Sequence, residues 1–251
     1  MGTPIGTLLA DAFGIKAAFI AVEAVALVVT VLLLVSVPRS GSTDVSSRVR
    51  DQLVILKDRR IILVLIMKGF GMAATYVFYV YVTPILEDGV GLSVWMVSIV
   101  LFFYGAATIV SNLGSGSIAQ HYGLVKMPIM FGLQALVLLL LGPSLASGNT
   151  ALAVINVVLT GVFIYHMNSP LQTFLLQTSA KDYPKALTLA SAVMPTSSDL
   201  GIATGSFLGG VVASGPGFVW AGPVGALFAI IAVVAAVLIL QPENRKRETA
   251  Q

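Results

Sequence analysis

The sequence has no cysteine, only two histidines and few charged residues. Charged residues make up 10% of its 251 residues and apolar residues 57%, whereas an ordinary soluble domain has roughly 25% charged residues. So little polar surface cannot cover a water-soluble globule, and a soluble enzyme, a disordered chain and a coiled coil are therefore excluded for the chain as a whole. The lack of cysteine excludes a disulfide framework, a cysteine-ligated metal and a thiol nucleophile.

Motifs for catalysis are also missing from the sequence. It contains no Walker-type phosphate loop and no His–Glu metalloprotease pattern. A metal site is disfavoured because the only histidine besides His166 is His121, which lies in a predicted loop. The basic residues are spread over the connections between apolar stretches, which disfavours nucleic acid as a partner. We therefore expect a protein that is not an enzyme and that has no cofactor.

Seven apolar stretches are long enough to cross a lipid bilayer, which takes about 20 residues in a helix. They lack the period-two alternation of membrane strands, so helices are the remaining way to satisfy their backbone polar groups in lipid. The lipid bilayer is therefore an expected partner. The stretches are residues 17–37, 61–86, 92–119, 127–145, 151–178, 187–213 and 218–240.

Twelve of the 14 basic residues lie in alternate connections between these stretches, as the positive-inside rule describes. The exceptions are Lys16 and Lys68. The rule predicts that loop 38–60 and the C-terminus of this multi-pass protein are cytoplasmic. The alternation also supports seven spans, because one missed helix would scramble it.

The two ends of the chain share a glycine pattern. Gly2-Thr-Pro-Ile-Gly6 is echoed by Gly201-Ile-Ala-Thr-Gly205, and a turn and a final apolar span follow each copy. Parallel six-helix repeats joined by a basic loop are typical of a large transporter class. We expect four parts: the end of one repeat (1–37), a basic linker with an amphipathic helix (38–60), a complete six-helix repeat (61–240) and a cytoplasmic tail (241–251).

Four segments resemble motifs of one transporter family. Gly2-Thr-Pro-Ile-Gly6 resembles a glycine–proline motif that ends the family's fifth helix, and Gly14-Ile-Lys16-Ala-Ala-Phe19 resembles the turn into the sixth helix. The segment from Asp199 to Gly210, with Gly201, Gly205 and Gly209 at four-residue spacing, resembles the glycine-rich eleventh helix. The fourth segment is a loop containing Gly116, Gln120, His121, Gly123 and Lys126, in which Gln120 and His121 replace the usual Asp and Arg.

Through these segments the sequence resembles the major facilitator superfamily, most closely its twelve-helix drug and sugar efflux branch, the arabinose-efflux-permease-like proteins. The resemblance begins at that family's fifth helix, which implies an N-terminally truncated member. It implies an all-α integral membrane bundle with about seven full transmembrane helices and a partial one at the N-terminus. It also implies proton-coupled efflux of a small organic solute across a bacterial inner (plasma) membrane.

Charged residues inside a membrane are costly and mark candidate functional sites. Lys68 either extends its side chain back to the interface or faces a cavity as an anion-binding cation. Asp199, near the middle of its stretch, either carries a proton or pairs with a base, or is a protonated carboxyl beside the glycines. Glu23 either packs near the interface or takes part in proton coupling.

The stretch 151–178 is the richest in polar residues, and Pro170 predicts a kink or break within it. His166 either carries a proton or remains neutral and hydrogen-bonded to a neighbouring helix. The resemblance implies that this stretch and 61–86 line a central cavity. The cavity candidates are Lys68, Tyr76, Tyr79, His166, Asn168, Gln172 and Asp199.

The spacing of Gly2 and Gly6, and of Gly201, Gly205 and Gly209, favours close helix packing, with gating as the alternative role. Segment 46–60 is amphipathic and predicts an interfacial linker helix, with lipid binding or regulation as the alternative. For the whole chain, two hypotheses stand. One is a secondary transporter that exchanges a solute for protons. The other is a transport-incompetent fragment, or one that needs a partner supplying the missing N-terminal helices.

Overall fold

A computed structural model of the chain describes residues 13–36 and 52–248, with the backbone alone for residues 242–248. The chain divides into two units, residues 1–46 and residues 47–251. Helices and short connections make up the described residues, and no strand occurs among them. The prediction of an all-α membrane fold is therefore confirmed. Gly2, Gly6 and the predicted linker up to residue 51 lie outside the described residues.

The first unit contains helix α1, Ile15–Ser36. Its apolar side chains surround the helix on all sides, and none of its residues is buried. A helix that is apolar all round needs lipid or other helices as its surroundings. Glu23 lies on this helix and is exposed.

The second unit is a bundle of seven long helices among its described residues. Their apolar side chains form a core whose largest fully buried members include Phe78, Phe131 and Leu138. Three of the helices follow short 3-10 turns, which are Leu53–Lys57, Pro184–Ala186 and Phe218–Trp220. The helices are α2 Arg59–Tyr79, α3 Val94–His121, α4 Met127–Ala146, α5 Thr150–Phe163, α6 Asn168–Asp182, α7 Leu187–Ser214 and α8 Ala221–Glu248.

Two predicted spans differ in detail from the structure. Helix α2 ends at Tyr79 instead of continuing to residue 86, and a short segment Val82–Pro84 and a π-turn Ile85–Gly89 follow it. Helix α2 ends in a tighter turn, in which the Tyr81 N–H donates to the carbonyl of Phe78 at 2.9 Å. The predicted span 151–178 is split into α5 and α6, which together are long enough to cross a membrane.

Within the part of the chain that the structure describes, six segments are long and apolar enough to cross a bilayer. The predicted span 187–213 is not among them, although α7 is 28 residues long. Its serines, threonines and Asp199 lower its apolar character. Helix α7 is nevertheless part of the bundle, because it packs along α2.

The backbones of α2 and α7 approach each other closely. Gly201, Gly205 and Gly209 of α7 lie against the backbone of α2, each facing a carbonyl one turn further along: those of Gly69, Ala73 and Val77. A methyl group at Gly205 would lie 2.5 Å from the carbonyl oxygen of Ala73 and 3.0 Å from its Cα. We call this contact the glycine seam. Only residues without a side chain allow such an approach.

An ion-pair cluster joins the start of α2 to the end of α6. The Arg60 guanidinium donates to Asp58 at 2.7 Å and to Asp182 at 2.6 Å, and the Tyr183 hydroxyl donates to Asp58 at 3.2 Å. Asp58 also caps α2 by accepting the backbone N–H of Arg60 at 2.8 Å. Arg60 is the main cause that lowers the pKa of Asp58 below its ordinary value of 3.8.

We predict that Gly205→Ala destabilises the folded chain, because its methyl group would overlap backbone atoms of Ala73 that cannot move without separating two helices. Overpacking of this kind typically costs about 1–3 kcal/mol. The matched control is Gly132→Ala in α4, where an added methyl meets no atom within 4 Å. Thermal unfolding in detergent should show a lower midpoint for Gly205→Ala than for Gly132→Ala, and equal midpoints would contradict the packing.

Acid should weaken the cluster at the start of α2. A carboxylate whose pKa is lowered by folding contributes stability at pH values above its unfolded pKa and loses it as the pH falls through the folded pKa. Asp58→Asn keeps an oxygen for the cap but has no charge to lose. Between pH 7 and pH 3 the unfolding midpoint of the variant should therefore fall less than that of the parent chain. The control is Asp88→Asn, at an exposed position, whose midpoint should fall as much as that of the parent chain. An equally large fall in Asp58→Asn would refute the prediction.

Candidate functional site

A polar cavity of about 530 Å³ lies between α2, α6 and α7. It brings together four of the predicted cavity residues: Lys68, Asn168, Gln172 and Asp199. Ser169 and Ser198 also line it. Two other cavities, between α2, α7 and α8 and between α3 and α5, are lined almost entirely by apolar side chains. The cavity at Lys68 is therefore the candidate functional site.

Hydrogen bonds connect Lys68 to side chains on two other helices. Its side chain is 7% exposed, and its ammonium donates a hydrogen bond to Oδ1 of Asn168. Nδ2 of Asn168 donates in turn to Oδ1 of Asn112 on α3 at 3.2 Å. The chain Lys68–Asn168–Asn112 fixes the position of the charge. Asn112 was not among the predicted residues, because a single Asn within an apolar stretch carries no distinguishing signal.

Asp199 reaches the cavity because of the glycine seam. It lies two residues before Gly201, which contacts the backbone of Gly69, the residue after Lys68. The same contact includes Ser197, whose hydroxyl donates to the carbonyl of Leu65 at 2.6 Å. The close approach of α2 and α7 therefore places the Lys68 and Asp199 side chains on one cavity. Asp199 is exposed.

The break between α5 and α6 spans residues 164–167 and precedes Pro170, which lies in the first turn of α6. A break frees backbone amides that must find other acceptors. Two serines one turn apart on α3 accept them: Ser111 binds the N–H of Tyr165 at 3.0 Å, and Ser115 binds that of Ser169 at 2.7 Å. Both serines are buried. Their spacing of four residues was a signal that could have identified them.

His166 lies in this break but does not line the cavity. Its ring is 3% exposed and packs edge-on against Phe131, with 4.9 Å between the ring centroids. Nδ1–H donates to the carbonyl of Phe163, and Nε2 is buried without a hydrogen-bond partner. The structure therefore places His166 in the core behind the site.

Tyr76 and Tyr79 are also outside the cavity lining. Both are partly buried, and their rings meet edge to face at 5.4 Å. Tyr79 stacks on Tyr104 of α3 at 5.1 Å. Such ring pairs add stability beyond their burial. The two predicted tyrosines thus belong to an aromatic group that joins α2 to α3.

Buried amide side chains hold the helices behind the site. Gln134 of α4 donates through Nε2 to the carbonyl of Gly71 and to the hydroxyl of Thr75, each at 3.0 Å. Asn156 of α5 donates to the carbonyl of Val137 at 3.2 Å. Gln134 was not predicted, because nothing in the sequence separates an interhelical amide from a cavity amide. The contacts of Gln134 orient α2, the helix that contains Lys68.

The predicted loop motif forms the connection from α3 to α4. His121 ends α3 and donates through Nδ1–H to the carbonyl of Ser117 at 3.0 Å. Gly123 has a φ of +54°, which a residue with a side chain rarely adopts. The Lys126 ammonium lies 5.1 Å from the centre of the Tyr122 ring. Gly116 faces open space on α3, and Gln120 is exposed. Among the described residues, no group of acidic, histidine or cysteine side chains could hold a metal ion.

Comparisons with known proteins match this chain to one protein family and to individual members of it. The sequence profile of the Major Facilitator Superfamily matches residues 1–184. The chain is 28% identical over 250 residues to the uncharacterized MFS-type transporter YtbD of Bacillus subtilis (strain 168) and 26% identical over 251 residues to the inner membrane transport protein YdhP of Escherichia coli (strain K12). Each alignment covers 99% of this chain, but the chain spans only 62% and 61% of these relatives.

We predict that Ser111 and Ser115 stabilise the break between α5 and α6. Replacing Ser111 and Ser115 by Ala would leave two partly buried amides without these acceptors, at a cost of up to about 3 kcal/mol for each group. We expect a lower unfolding midpoint for the double variant and faster hydrogen exchange at Tyr165 and Ser169. Ser117→Ala, at an exposed position of the same helix, is the control. Exchange rates equal to those of the parent chain would show that the serines do not hold the break.

Proposed function

Because the chain belongs to the Major Facilitator Superfamily, we propose that it is a secondary active transporter and that the cavity at Lys68 and Asp199 binds its solute. Family membership supports the prediction of a transporter in place of an enzyme. The proposed activity is efflux of a small organic solute in exchange for protons. Drugs and sugars are the solute classes that the sequence resemblance suggests.

One observation carries this proposal: two ionisable side chains from different helices, Lys68 and Asp199, line one polar cavity in an otherwise apolar bundle. Charges within membrane-spanning helices are costly and are retained where they face a cavity or a pathway. The broken helix α5–α6 at the same cavity fits this role, since non-helical backbone at membrane depth occurs where it is enclosed by protein or lines a cavity. Gln172 and Asn168 supply neutral hydrogen-bonding groups to a solute.

The proposed mechanism is alternating access, in which two repeats rock about a central site. Asp199 is proposed as the proton carrier because it is exposed to the cavity. Protonated and solute-bound states would then differ in charge at one carboxyl, and their differential affinities would couple the two flows. His166, which is buried behind the site, is a weaker candidate for the same role. Glu23 on α1 remains a second candidate for proton coupling.

The remaining predicted residues are assigned supporting roles. The glycine seam at Gly201, Gly205 and Gly209 is proposed to keep α2 and α7 together while the site changes its exposure. The connection from Gly116 to Lys126 is proposed to lie on the cytoplasmic side. The alternation of basic loops supports a bacterial inner membrane location with a cytoplasmic C-terminus.

The test is transport by the full chain in reconstituted vesicles, with and without a proton gradient, using a panel of small organic solutes that contains sugars, cationic drugs and amino acids. We expect gradient-dependent transport, and we expect Asp199→Asn to lower the gradient-dependent part at least tenfold. Asp88→Asn, an exposed carboxylate outside the cavity, is the matched control.

Two outcomes would overturn the proposal. The first is the absence of gradient-dependent transport by the correctly inserted chain. The second is equal transport by Asp199→Asn and Asp88→Asn, which would remove Asp199 from the proton pathway.

A further inference from the structure

The cavity at Lys68 contains one charge of each sign. Lys68 and Asp199 line it together, and none of its other lining residues is ionisable. Neither side chain forms an ion pair within the residues that the structure describes. The hydrogen-bond partner of Lys68 is the neutral amide of Asn168. The buried ammonium therefore has a fixed position but no compensating charge.

The start of helix α6 strengthens the positive side of the cavity. Asn168 and Ser169 begin this 15-residue helix and line the cavity beside Lys68. The N-terminus of a helix carries roughly half a positive elementary charge. Protein acceptors already bind the amides of Asn168, Ser169 and Leu171, and Pro170 has none. The helix end therefore contributes its electrostatic field, and Lys68 contributes the hydrogen-bond donor.

The negative side of the cavity is on α7. Asp199 is exposed to the cavity, and Ser198 beside it donates its hydroxyl to the carbonyl of Met194 at 3.2 Å. The hydroxyl of Ser198 is therefore occupied by its own helix, and the carboxylate of Asp199 remains for an incoming cation. The glycine seam keeps α7 against α2, so the two charges stay on opposite helices of one cavity.

We propose that the solute is zwitterionic: its carboxylate binds the Lys68 ammonium at the start of α6, and its ammonium group binds the Asp199 carboxylate. This inference rests on the proposed transport function and names the solute class of the same site. A neutral sugar would leave both protein charges without a partner, and a monocation would leave Lys68 unpaired beside an added positive charge. An unpaired buried charge such as the Lys68 ammonium is costly, so Lys68 selects against solutes without an anionic group. The exposed carboxylate of Asp199 favours solutes that carry a cationic group.

The assignment also fits exchange with protons. The ammonium group of the solute and a proton would compete for the same carboxylate of Asp199. Release of the solute then leaves a carboxylate that can take up one proton. No further ionisable residue of the cavity is required for the exchange.

The experiment measures binding to the purified full chain in lipid nanodiscs, which avoids leakage of the probes through vesicle membranes. The zwitterions are leucine and phenylalanine. Each is compared with its decarboxylated amine, 3-methylbutylamine or 2-phenylethylamine, and with its deaminated acid, 4-methylpentanoate or 3-phenylpropanoate. Arabinose is the neutral probe. We expect at least one zwitterion to bind tenfold or more tightly than both of its singly charged analogues and than arabinose.

Two substitutions should change this preference in opposite directions. Lys68→Met removes the partner of the carboxylate, so the variant should bind the amine at least as well as the zwitterion. Asp199→Asn removes the partner of the ammonium group, so the variant should bind the deaminated acid at least as well as the zwitterion. Lys126→Met and Asp88→Asn, which change charges outside the cavity, should retain the tenfold preference.

The outcomes separate this inference from the proposed function. Gradient-driven transport of a sugar or a monocation, with no preference for either zwitterion in binding, would overturn the zwitterion assignment and leave transport intact. If Lys68→Met and Asp199→Asn leave the zwitterion preference unchanged, the zwitterion binds at a site other than this cavity, and the inference is overturned. Zwitterion binding without any gradient-driven transport would support the site and contradict the proposed exchange.

Discussion

The contact on which the site depends is the backbone approach of α2 and α7 at the glycine seam. Three glycines at four-residue spacing lie over three carbonyls at the same spacing, so the two helices meet along three successive turns. Lipid offers little hydrophobic gain for helix association, and close van der Waals packing takes its place. The seam brings Gly201 against Gly69, and the neighbouring residues Asp199 and Lys68 consequently line the same cavity.

A second constraint acts on the other side of the cavity. The chain between α5 and α6 leaves the helical path inside the membrane-spanning region, which would be costly without acceptors for its amides. Ser111 and Ser115 supply these acceptors from α3. The break lets Asn168 begin a new helix beside Lys68 and turns His166 toward Phe131. The position of the site therefore follows from two backbone features, each satisfied by small side chains.

Much of the fold could be predicted, because the composition and residue spacing of a segment determine whether that segment forms a membrane-spanning helix. Apolar stretches of sufficient length and the spacing of Gly201, Gly205 and Gly209 identify helices and their contact surface from the sequence alone. The same reasoning identified Lys68 and Asp199, since charge within an apolar stretch is conspicuous. It could not identify Gln134 or Asn112, because their partners lie on helices distant in sequence. It also grouped His166 with the cavity, because sequence position gives depth in the membrane but not the direction of a side chain at a break.

The proposed binding of a zwitterion between Lys68 and Asp199 would have an electrical consequence. A zwitterion carries no net charge, so its exchange for one proton moves one positive charge across the membrane in each cycle. The membrane potential then contributes about 2.3 kcal/mol per 100 mV to the exchange, in addition to the pH difference. A cell interior that is negative relative to the outside would draw the proton inward and so drive the solute out, even where the pH is equal on both sides. Under the proposed mechanism the transporter would be electrogenic, because the solute leaves without net charge and the proton that replaces it carries one positive charge.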